Sequence, residues 1–367
     1  MEIRPYEPAH LDDAAGVLAK AHERRSAELP ALPGAFSAAD ETRVVIGAFA
    51  DRPGCAGYSA FRDGRLTGFL LATRHLPAPA HPSSAYVMPR STWTPTQAWA
   101  IGDDCDPRAV FEALYSAVAS DAVGAGYLNH QVEVNVGDPA ENWLLDLGYT
   151  RSSVYAALPV GGAAPAEHHS EAPGQTETGQ TAIRRARAGD EELVAAVGEL
   201  NARHHQTSPV FRPDLSEDYR EAVLDAAAEL VIAQDRMAFL AFTDGDFVGG
   251  ILANAMGSGR PLFRPADSLY IGSIAVAPAH RGRGIGQALV GALLLAARAE
   301  GFEHAVLNYA PANASGRRFW QKMSFQPLMT VFQRRVDPRI AWGASWSRLA
   351  TNAAPASDLR ATEPRDT

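Results

Sequence analysis

The residues most able to do chemistry lie in one stretch, Ile271–Gly286, which reads IGSIAVAPAHRGRGIG. Gly282, Gly284 and Gly286 alternate with larger residues in its second half. A short apolar run comes before this glycine-rich part, and apolar residues at helical spacing follow it. Backbone N–H groups at a helix N-terminus, in a loop with little side-chain bulk, form a site for phosphate. The pattern therefore predicts a strand, an anion-binding loop and a helix.

Composition limits the possible classes of protein. The chain has 367 residues, of which 46% are hydrophobic and 20% are charged, as expected for a globular protein of two or three domains. A net charge of −9 argues against nucleic acid as the main partner. No apolar run is long enough to span a bilayer, so we expect no membrane partner. Two cysteines and the absence of an apolar leader predict a cytoplasmic protein.

A change of composition marks a domain boundary. Between Leu158 and Thr181 the chain is rich in Gly, Pro, Ala and polar residues, which is typical of a linker. His168 and His169 lie there without a carboxylate or thiol cluster, so we predict no metal site. The predicted domains are residues 1–158 and 181–337, joined by a flexible linker, residues 159–180. Residues 338–367 form a C-terminal tail that we expect to be partly disordered.

The chain repeats itself roughly 180 residues further along. Ala60-Phe61-x-Asp63-Gly64 returns as Ala241-Phe242-x-Asp244-Gly245, and each Asp-Gly pair predicts the turn of a β-hairpin. The sequence WAI that ends at Ile101 falls where IAV, ending at Val276, falls in the second copy. Two copies of one α/β unit explain these matches more simply than chance.

The two copies differ at the loop. Where the second copy has AHRGRGIG, the first has GDDCDP, Gly102–Pro107. An acidic loop repels a pyrophosphate, so we expect no phosphorylated ligand in the first copy. Its expected role is to pack against the second copy or to shape a substrate cleft. Two further segments, Leu76–Pro95 and Gly257–Pro265, predict a loop and a mobile insertion that could contact the acceptor.

Two motifs of the second copy resemble a known family. Arg281-x-x-Gly284-x-Gly286 after an apolar strand resembles the acetyl-CoA signature of the GNAT N-acetyltransferase superfamily. The segment Asn313–Phe325, about 27 positions on, is similar to the second signature of that family. The resemblance implies two tandem GNAT-like domains of the α/β (α+β) class, with a degenerate N-terminal copy. Each domain is then a mixed, mostly antiparallel, twisted sheet flanked by helices.

The resemblance also implies a binding site for acetyl-CoA as co-substrate. Backbone N–H groups of the loop hold the pyrophosphate in the family, and a strand edge and an asparagine hold the pantetheine. Asn313 also sits where it would be a good N-cap, and both roles stay open. The residues placed in this site are Ile274, Ala275, Val276, Arg281, Gly282, Arg283, Gly284, Ile285, Gly286, Asn313 and Ser315.

The candidate catalytic residues are Tyr270 and Tyr309. Many family members have a tyrosine at the position of Trp320, where it protonates the departing thiolate. An indole N–H is not a usable acid, so the acid stays open: Tyr309 and Ser315 are nearby in sequence, and water is a further source of the proton. The position of the family's glutamate base falls at about Tyr270, with Asp267 just before it, and His204 and His205 are alternatives.

The sequence thus predicts a GNAT-type N-acetyltransferase. It would move an acetyl group from acetyl-CoA to a primary amine by direct transfer in a ternary complex. The acceptor is a small-molecule amine or a protein amino group, and the protein is expected to be a monomer or a homodimer. The alternative is a non-catalytic acyl-CoA-binding or sensor protein.

Overall fold

A computed structural model describes residues 1–76, 87–161, 181–211, 236–256, 262–265 and 267–342. The two halves of the chain have corresponding elements. The strands of the first half are β1 (Glu2–Pro5), β2 (Ala56–Arg62), β3 (Arg65–His75), β4 (Ser91–Thr94), β5 (Trp99–Ile101), β6 (Asn129–Asn135) and β7 (Thr150–Pro159). Its helices are α1 (Leu11–Glu28), α2 (Ala39–Ala50), α3 (Pro107–Gly124) and α4 (Ala140–Asp146).

The second half repeats this order. Its strands are β8 (Thr181–Arg185), β9 (Arg236–Thr243), β10 (Asp246–Ala255), β11 (Ser268–Val276), β12 (His304–Tyr309) and β13 (Gln326–Arg335). The described helices are α5 (Glu191–Gln206), α6 (Ile285–Ala299) and α7 (Ala314–Lys322). No helix in the parts of the chain described above is both long and apolar enough to cross a membrane.

All thirteen strands join in one sheet, and its order shows that the halves exchange their last strands. The order is β1-β2-β3-β4-β6-β13-β7-β12-β11-β10-β9-β8, with β5 paired to β3. Strand β13 of the second half lies between β6 and β7 of the first. Strand β7 in turn pairs with β12 of the second half. The class is mixed and mostly antiparallel as predicted, but the sheet is continuous rather than divided between two domains.

The strand registers agree with the repeat at corresponding positions. Gly68 pairs with Ile101 in the first half, and Gly249 pairs with Val276 in the second. The two halves meet where Val154 of β7 faces Thr330 of β13. On the two sides of this contact, β6 pairs with β13 as β12 pairs with β7, so an approximate two-fold axis relates the two halves.

The two predicted hairpin turns have the backbone that Asp-Gly sequences favour. The φ angles are 51° and 77° at Asp63 and Gly64, and 53° and 90° at Asp244 and Gly245. Positive φ at both central residues gives the turn a twist that matches the twist of the flanking strands. The same short signal therefore forms the β2–β3 hairpin in the first half and the β9–β10 hairpin in the second.

Each exchanged strand completes the core of the other half. Phe332 of β13 is fully buried in the apolar cluster of the first half, with Phe111 and Leu114 of α3. Val154 and Ala156 of β7 lie in the cluster of the second half beneath α6. Neither core is complete without a strand from the other half of the chain.

The structure differs from the sequence predictions in two segments. Within the loop predicted at Leu76–Pro95, Ser91–Thr94 form β4, because this β-branched and aromatic run pairs with both β3 and β6. Within the insertion predicted to be mobile, Leu262 and Phe263 are buried instead. Phe263 packs against Tyr155, with the ring centroids 5.0 Å apart.

Other predictions fall outside the described residues. These are residues 162–180 of the predicted linker, including the His168–His169 pair, and residues 343–367 of the predicted tail. The domain limits at residues 158 and 181 remain a prediction, since both halves share one sheet.

We predict that Phe332→Ala lowers the free energy of unfolding by about 3–5 kcal/mol. The reason is that the deletion leaves a cavity in the core of the half that does not encode the residue. Urea denaturation followed by tryptophan fluorescence measures the effect. Phe211→Ala is the matched control, because Phe211 is 70% exposed. A cost below about 1 kcal/mol at Phe332 would contradict the exchanged arrangement.

Candidate functional site

The glycine-rich loop adopts the conformation that its sequence predicts. Gly282 and Gly284 have φ angles of 78° and 81°, in the left-handed region that favours glycine. Gly284 is the N-cap of α6, no side chain caps this end, and no acidic residue lies in the first turn. The first N–H groups of α6 thus have no partner within the helix, and the macrodipole makes this end positive. The geometry suits an anion.

The loop is open on the outside and closely packed on the inside. A Cβ atom added at Gly282 or Gly284 would meet nothing within 4 Å, so a ligand can approach the backbone there. At Gly286 the added atom would lie 3.4 Å from the ring of Phe319 on α7. The Nε of Arg281 donates to the carbonyl of Val276 at 2.9 Å, which ties the loop to the end of β11.

Strands β11 and β12 separate beside this loop. They pair in parallel from Ser268–Ile271 against His304–Leu307. Beyond Ile271, β11 pairs only with β10, and the irregularity in that pairing skips Gly272. The described edge of β11 that faces β12 therefore has no strand partner from Gly272 to Val276. A peptide-like group can bind along such an edge by adding to the sheet.

A cleft of about 1390 Å³ runs from the loop across the split strands into the first half of the chain. Every residue predicted to bind the cofactor lines it except Arg283. The first half contributes Trp93, Gln131, Glu133, Ser152, Ser153 and Tyr155. The degenerate copy therefore forms part of the cleft wall, as one of its two expected roles required.

Asn313 caps α7. Its Oδ1 accepts hydrogen bonds from the N–H of Gly316 at 3.0 Å and from the hydroxyl of Ser315 at 2.9 Å. The amide oxygen is thus used by the helix, while the side chain still lines the cleft. Asn313 is therefore the N-cap, and its NH2 group is the part that remains for a ligand.

Both candidate catalytic tyrosines reach the cleft. The hydroxyl of Tyr270 donates to Oδ1 of Asn308 at 2.6 Å, and Nδ2 of Asn308 donates to the hydroxyl of Ser153 at 3.0 Å. Tyr309 is mostly buried, and this burial raises the pKa of its phenol above the usual value near 10. The phenol of Tyr309 is therefore a neutral hydrogen-bond donor at physiological pH.

The side chain of Trp320 is buried against neighbouring aromatic rings. Its ring lies 4.8 Å from that of Phe319 and 5.2 Å from that of Phe325, both edge-on, and it is 6% exposed. His204 and His205, at the end of α5, line the cleft with Asn201. The two candidate tyrosines, Trp320 and the two histidines thus line one cleft, and their roles remain predictions.

In the first half the corresponding site is filled by the protein itself. Trp99 of β5 donates from its Nε1 to the main-chain carbonyl of Glu133 at 3.0 Å, which bridges the gap between β5 and β6. Asp106 caps α3 by accepting from the N–H groups of Arg108 and Ala109. A carboxylate thus occupies the helix end where the second copy is open.

Sequence reasoning missed the cleft residues of the first half, among them Trp93, Glu133 and Ser153. In register, Trp93 and Glu133 are the counterparts of Tyr270 and Asn308. The indole of Trp93 donates to the Oε1 of Glu133 at 3.0 Å, just as Tyr270 donates to Asn308. The repeat could have identified this pair once β4 was recognised. Ser153 carries no signal of its own, because only the exchanged strand brings it to Asn308.

Comparison with known families agrees with this geometry. A family model described as Acetyltransferase (GNAT) family matches residues 202–325. This part of the chain is a GNAT domain. Comparison with curated proteins gave no significant match.

Two solved structures extend the GNAT fold to both halves. The GCN5-related N-acetyltransferase from Sphaerobacter thermophilus is 15% identical at a TM-score of 0.58, over 92% of this chain and 96% of that one. The second is the GCN5-related glucosamine N-acetyltransferase region of a fungal multi-domain GH3 β-N-acetylglucosaminidase. It is 12% identical at a TM-score of 0.52, over 90% of this chain and 38% of that one. At these identities the likeness shows the fold.

We predict that Asp106→Ala destabilises the protein by about 1 kcal/mol, because two N–H groups of α3 lose their acceptor. Thermal and urea unfolding measure the change. Asp104→Ala removes a charge from the same loop without removing the cap and should cost less than about 0.5 kcal/mol. Equal effects of the two substitutions would mean that Asp106 does not close this helix end.

Proposed function

We propose that this protein transfers an acetyl group from acetyl-CoA to a primary amine, in a single site formed mainly by the second copy. The observation that supports this most directly is the uncapped, positive end of α6, which opens onto the split between β11 and β12. One feature suits a pyrophosphate and the other suits a chain of amide groups. Acetyl-CoA has a pyrophosphate followed by a chain of amide groups, in the same order as these two features.

The residues present fit the anionic part of this ligand. Gly282 and Gly284 face open space at the end of α6, and Arg281 and Arg283 place two cations beside it. Nδ1 of His280, a cleft residue, is buried and has no hydrogen-bond partner within the described structure. Buried polar groups are usually paired, so this atom supports a ligand at the loop.

The residues also fit the pantetheine arm. The unpaired edge at Ile274, Ala275 and Val276 can bind its amides by strand addition. The buried hydroxyl of Ser273 lacks a partner among the described residues, and the NH2 group of Asn313 faces the same cleft. Bound acetyl-CoA supplies the activated acyl group. An N–H of the β11 edge would polarise the carbonyl that the amine attacks.

The cleft favours direct transfer from donor to acceptor. Because it continues past β12 into the first half, both substrates can lie in it together. His280, Arg281 and Lys322 line the donor end, whereas Glu133 is the acidic residue among the described lining residues. This charge distribution supports an anionic donor and a cationic acceptor, either a small-molecule amine or a protein amino group. The place of reaction that we propose is the cytoplasm, with one site per chain and a monomer or homodimer.

The two tyrosines receive different roles in this proposal. Tyr270 lies just before Gly272, where the strands separate, and contacts the amine. Tyr309 protonates the departing thiolate, because its raised pKa keeps the phenol protonated through neutral pH. Trp320 supports the wall by packing and takes no part in proton transfer.

The alternative function is that of a non-catalytic acyl-CoA-binding or sensor protein. The observation that favours it is the packed indole at Trp320, where many family members have an acidic tyrosine. The two functions share the donor site and differ in turnover. Release of CoA in the presence of a panel of primary amines decides between them, since binding without release supports the sensor.

We predict that Gly284→Glu raises the Kd for acetyl-CoA at least about 100-fold, because it places bulk and a negative charge beside the pyrophosphate. Isothermal titration calorimetry should give one ligand per wild-type chain. Leu295→Glu adds the same charge on an exposed face of α6, remote from its N-terminus, and should leave Kd within about twofold. Wild-type protein without affinity for acetyl-CoA, and without turnover, would remove the proposal.

We predict that Tyr309→Phe lowers kcat about 100-fold with little change in the Kd for acetyl-CoA, because the general acid is lost. Because burial raises the pKa of this phenol above its usual value, wild-type kcat should not fall through this group near neutral pH. Steady-state assays of CoA release measure both effects. Trp320→Phe is the control and should leave kcat nearly unchanged. A large loss of kcat in Trp320→Phe with none in Tyr309→Phe would contradict the assignment of Tyr309 as the general acid.

A further inference from the structure

Two glutamine side chains lie side by side in the wall of the cleft, one from each half of the chain. Gln131 of β6 pairs directly with Gln333 of the exchanged strand β13. Both residues line the cleft and are half-buried. Directly opposite residues of an antiparallel pair have Cβ atoms about 4.5–5.5 Å apart, so the two amides can contact one ligand group together. We call Gln131 and Gln333 the glutamine pair.

The glutamine pair has no evident use in holding the fold together. Neither amide makes a side-chain hydrogen bond within the described part of the chain. The residues that precede Gln333 and follow Gln131, Phe332 and Val132, face the opposite side of the sheet and are buried in the core of the first half. The core therefore packs on the other face of these strands, while both amides face the cleft.

The second half shows that the sheet itself does not require polar residues at these positions. The approximate two-fold axis at Val154 and Thr330 relates the glutamine pair to Ala157 of β7 and Val306 of β12, which also pair with each other. Ala157 and Val306 are buried together in an apolar cluster. Two amides that face the cleft in place of this apolar pair indicate a requirement other than packing.

The glutamine pair lies within reach of an acceptor whose amine is at the split strands. Asn308 is the first residue of β12 beyond its pairing with β11, and its Nδ2 donates to Ser153 at 3.0 Å. Ser153 faces Val331 on β13, and Gln333 follows two residues later. Standard strand spacing and rise place the Cα atoms of Gln333 and Gln131 about 8 Å and about 12 Å from that of Ser153.

The chemistry of two amides suits a neutral polar group. Each glutamine has an oxygen that accepts hydrogen bonds and an NH2 group that donates them, and neither side chain carries a charge. A hydroxyl or an amide of the ligand can both donate and accept, so it can bind both glutamines at once. An alkyl group in the same place would cover the two amides without replacing their hydrogen bonds to water, which costs free energy.

We propose that the glutamine pair is a second contact site for the acceptor, which binds a neutral hydroxyl or amide group about 8–12 Å from the amine that is acetylated. The inference rests on the proposed acetyl transfer and specifies the acceptor further. Gln131 and Gln333 contact the substrate away from the reacting atoms and take no part in proton transfer. The second copy holds the donor, and the strands at the junction of the halves select the acceptor.

The test uses three primary amines of similar length as probes. An aminooctanol has its hydroxyl at the far end of the chain, triglycinamide carries amides over about 10 Å, and octylamine has neither group. Wild-type kcat/KM should be at least about fivefold higher for aminooctanol or for triglycinamide than for octylamine. A preference for aminooctanol assigns a hydroxyl to the site, and a preference for triglycinamide assigns an amide.

Gln131→Met and Gln333→Met keep the length of each side chain and remove its amide. Each should lower kcat/KM for the preferred probe about five- to tenfold, because a hydrogen bond to the substrate is lost. The value for octylamine should change less than about twofold, since octylamine makes no such bond. Gln131→Ala and Gln333→Ala remove the same amides without adding apolar surface and should give the same pattern.

Gln326→Met is the matched control. Gln326 is exposed on the same strand as Gln333, and its amide donates to the carbonyl of Ser324 at 3.3 Å. This variant should leave kcat/KM for all three probes unchanged, and the Kd for acetyl-CoA should be the same in every variant.

Four results would overturn the inference while acetyl transfer stands. They are equal losses for all three probes, no loss in the glutamine variants, no wild-type preference over octylamine, and acetylation of other primary amines but of none of these probes. Absence of wild-type turnover with any primary amine would instead contradict the proposed function itself.

Discussion

The structure depends on backbone hydrogen bonding between strands that come from different halves of the chain. Strand β7 has β12 and β13 as its neighbours, and β13 has β6 and β7. Buried backbone N–H and C=O groups need partners, so neither last strand is satisfied within its own half. The exchange also moves apolar side chains, because Phe332 fills one core while Ala156 fills the other. Both halves must therefore fold together.

This constraint also shapes the site. Since β7 lies directly against β12, the wall beyond the split strands of the second copy is made from the first. Ser153 reaches Asn308, and Glu133 lies farther along the same cleft. A copy without a phosphate loop can thus be retained for its contribution to the shared cleft. The fold is repeated, but the chemistry that we propose is concentrated in one place.

The asymmetry between the copies arises from a few side chains on equivalent elements. The N-terminus of α6 has no side-chain cap, because its N-cap residue is Gly284, whereas the N-terminus of α3 is closed by the carboxylate of Asp106. The gap beside β11 is open, whereas Trp99 bridges the corresponding gap in the first half. Local sequence therefore decides whether a GNAT-like unit offers its helix end to a ligand or uses it for its own stability.

Local patterns in the chain were enough to predict the hairpins at Asp63-Gly64 and Asp244-Gly245, the loop before α6 and the repeat, because each depends on neighbouring residues. They did not reveal β4, whose four residues are stabilised by two partner strands. Alternating apolar residues show that a strand has a buried face but do not identify its neighbours. Only the tertiary structure therefore decided that β7 and β13 change places and that Ser153 meets Asn308, since these contacts join segments more than 150 residues apart.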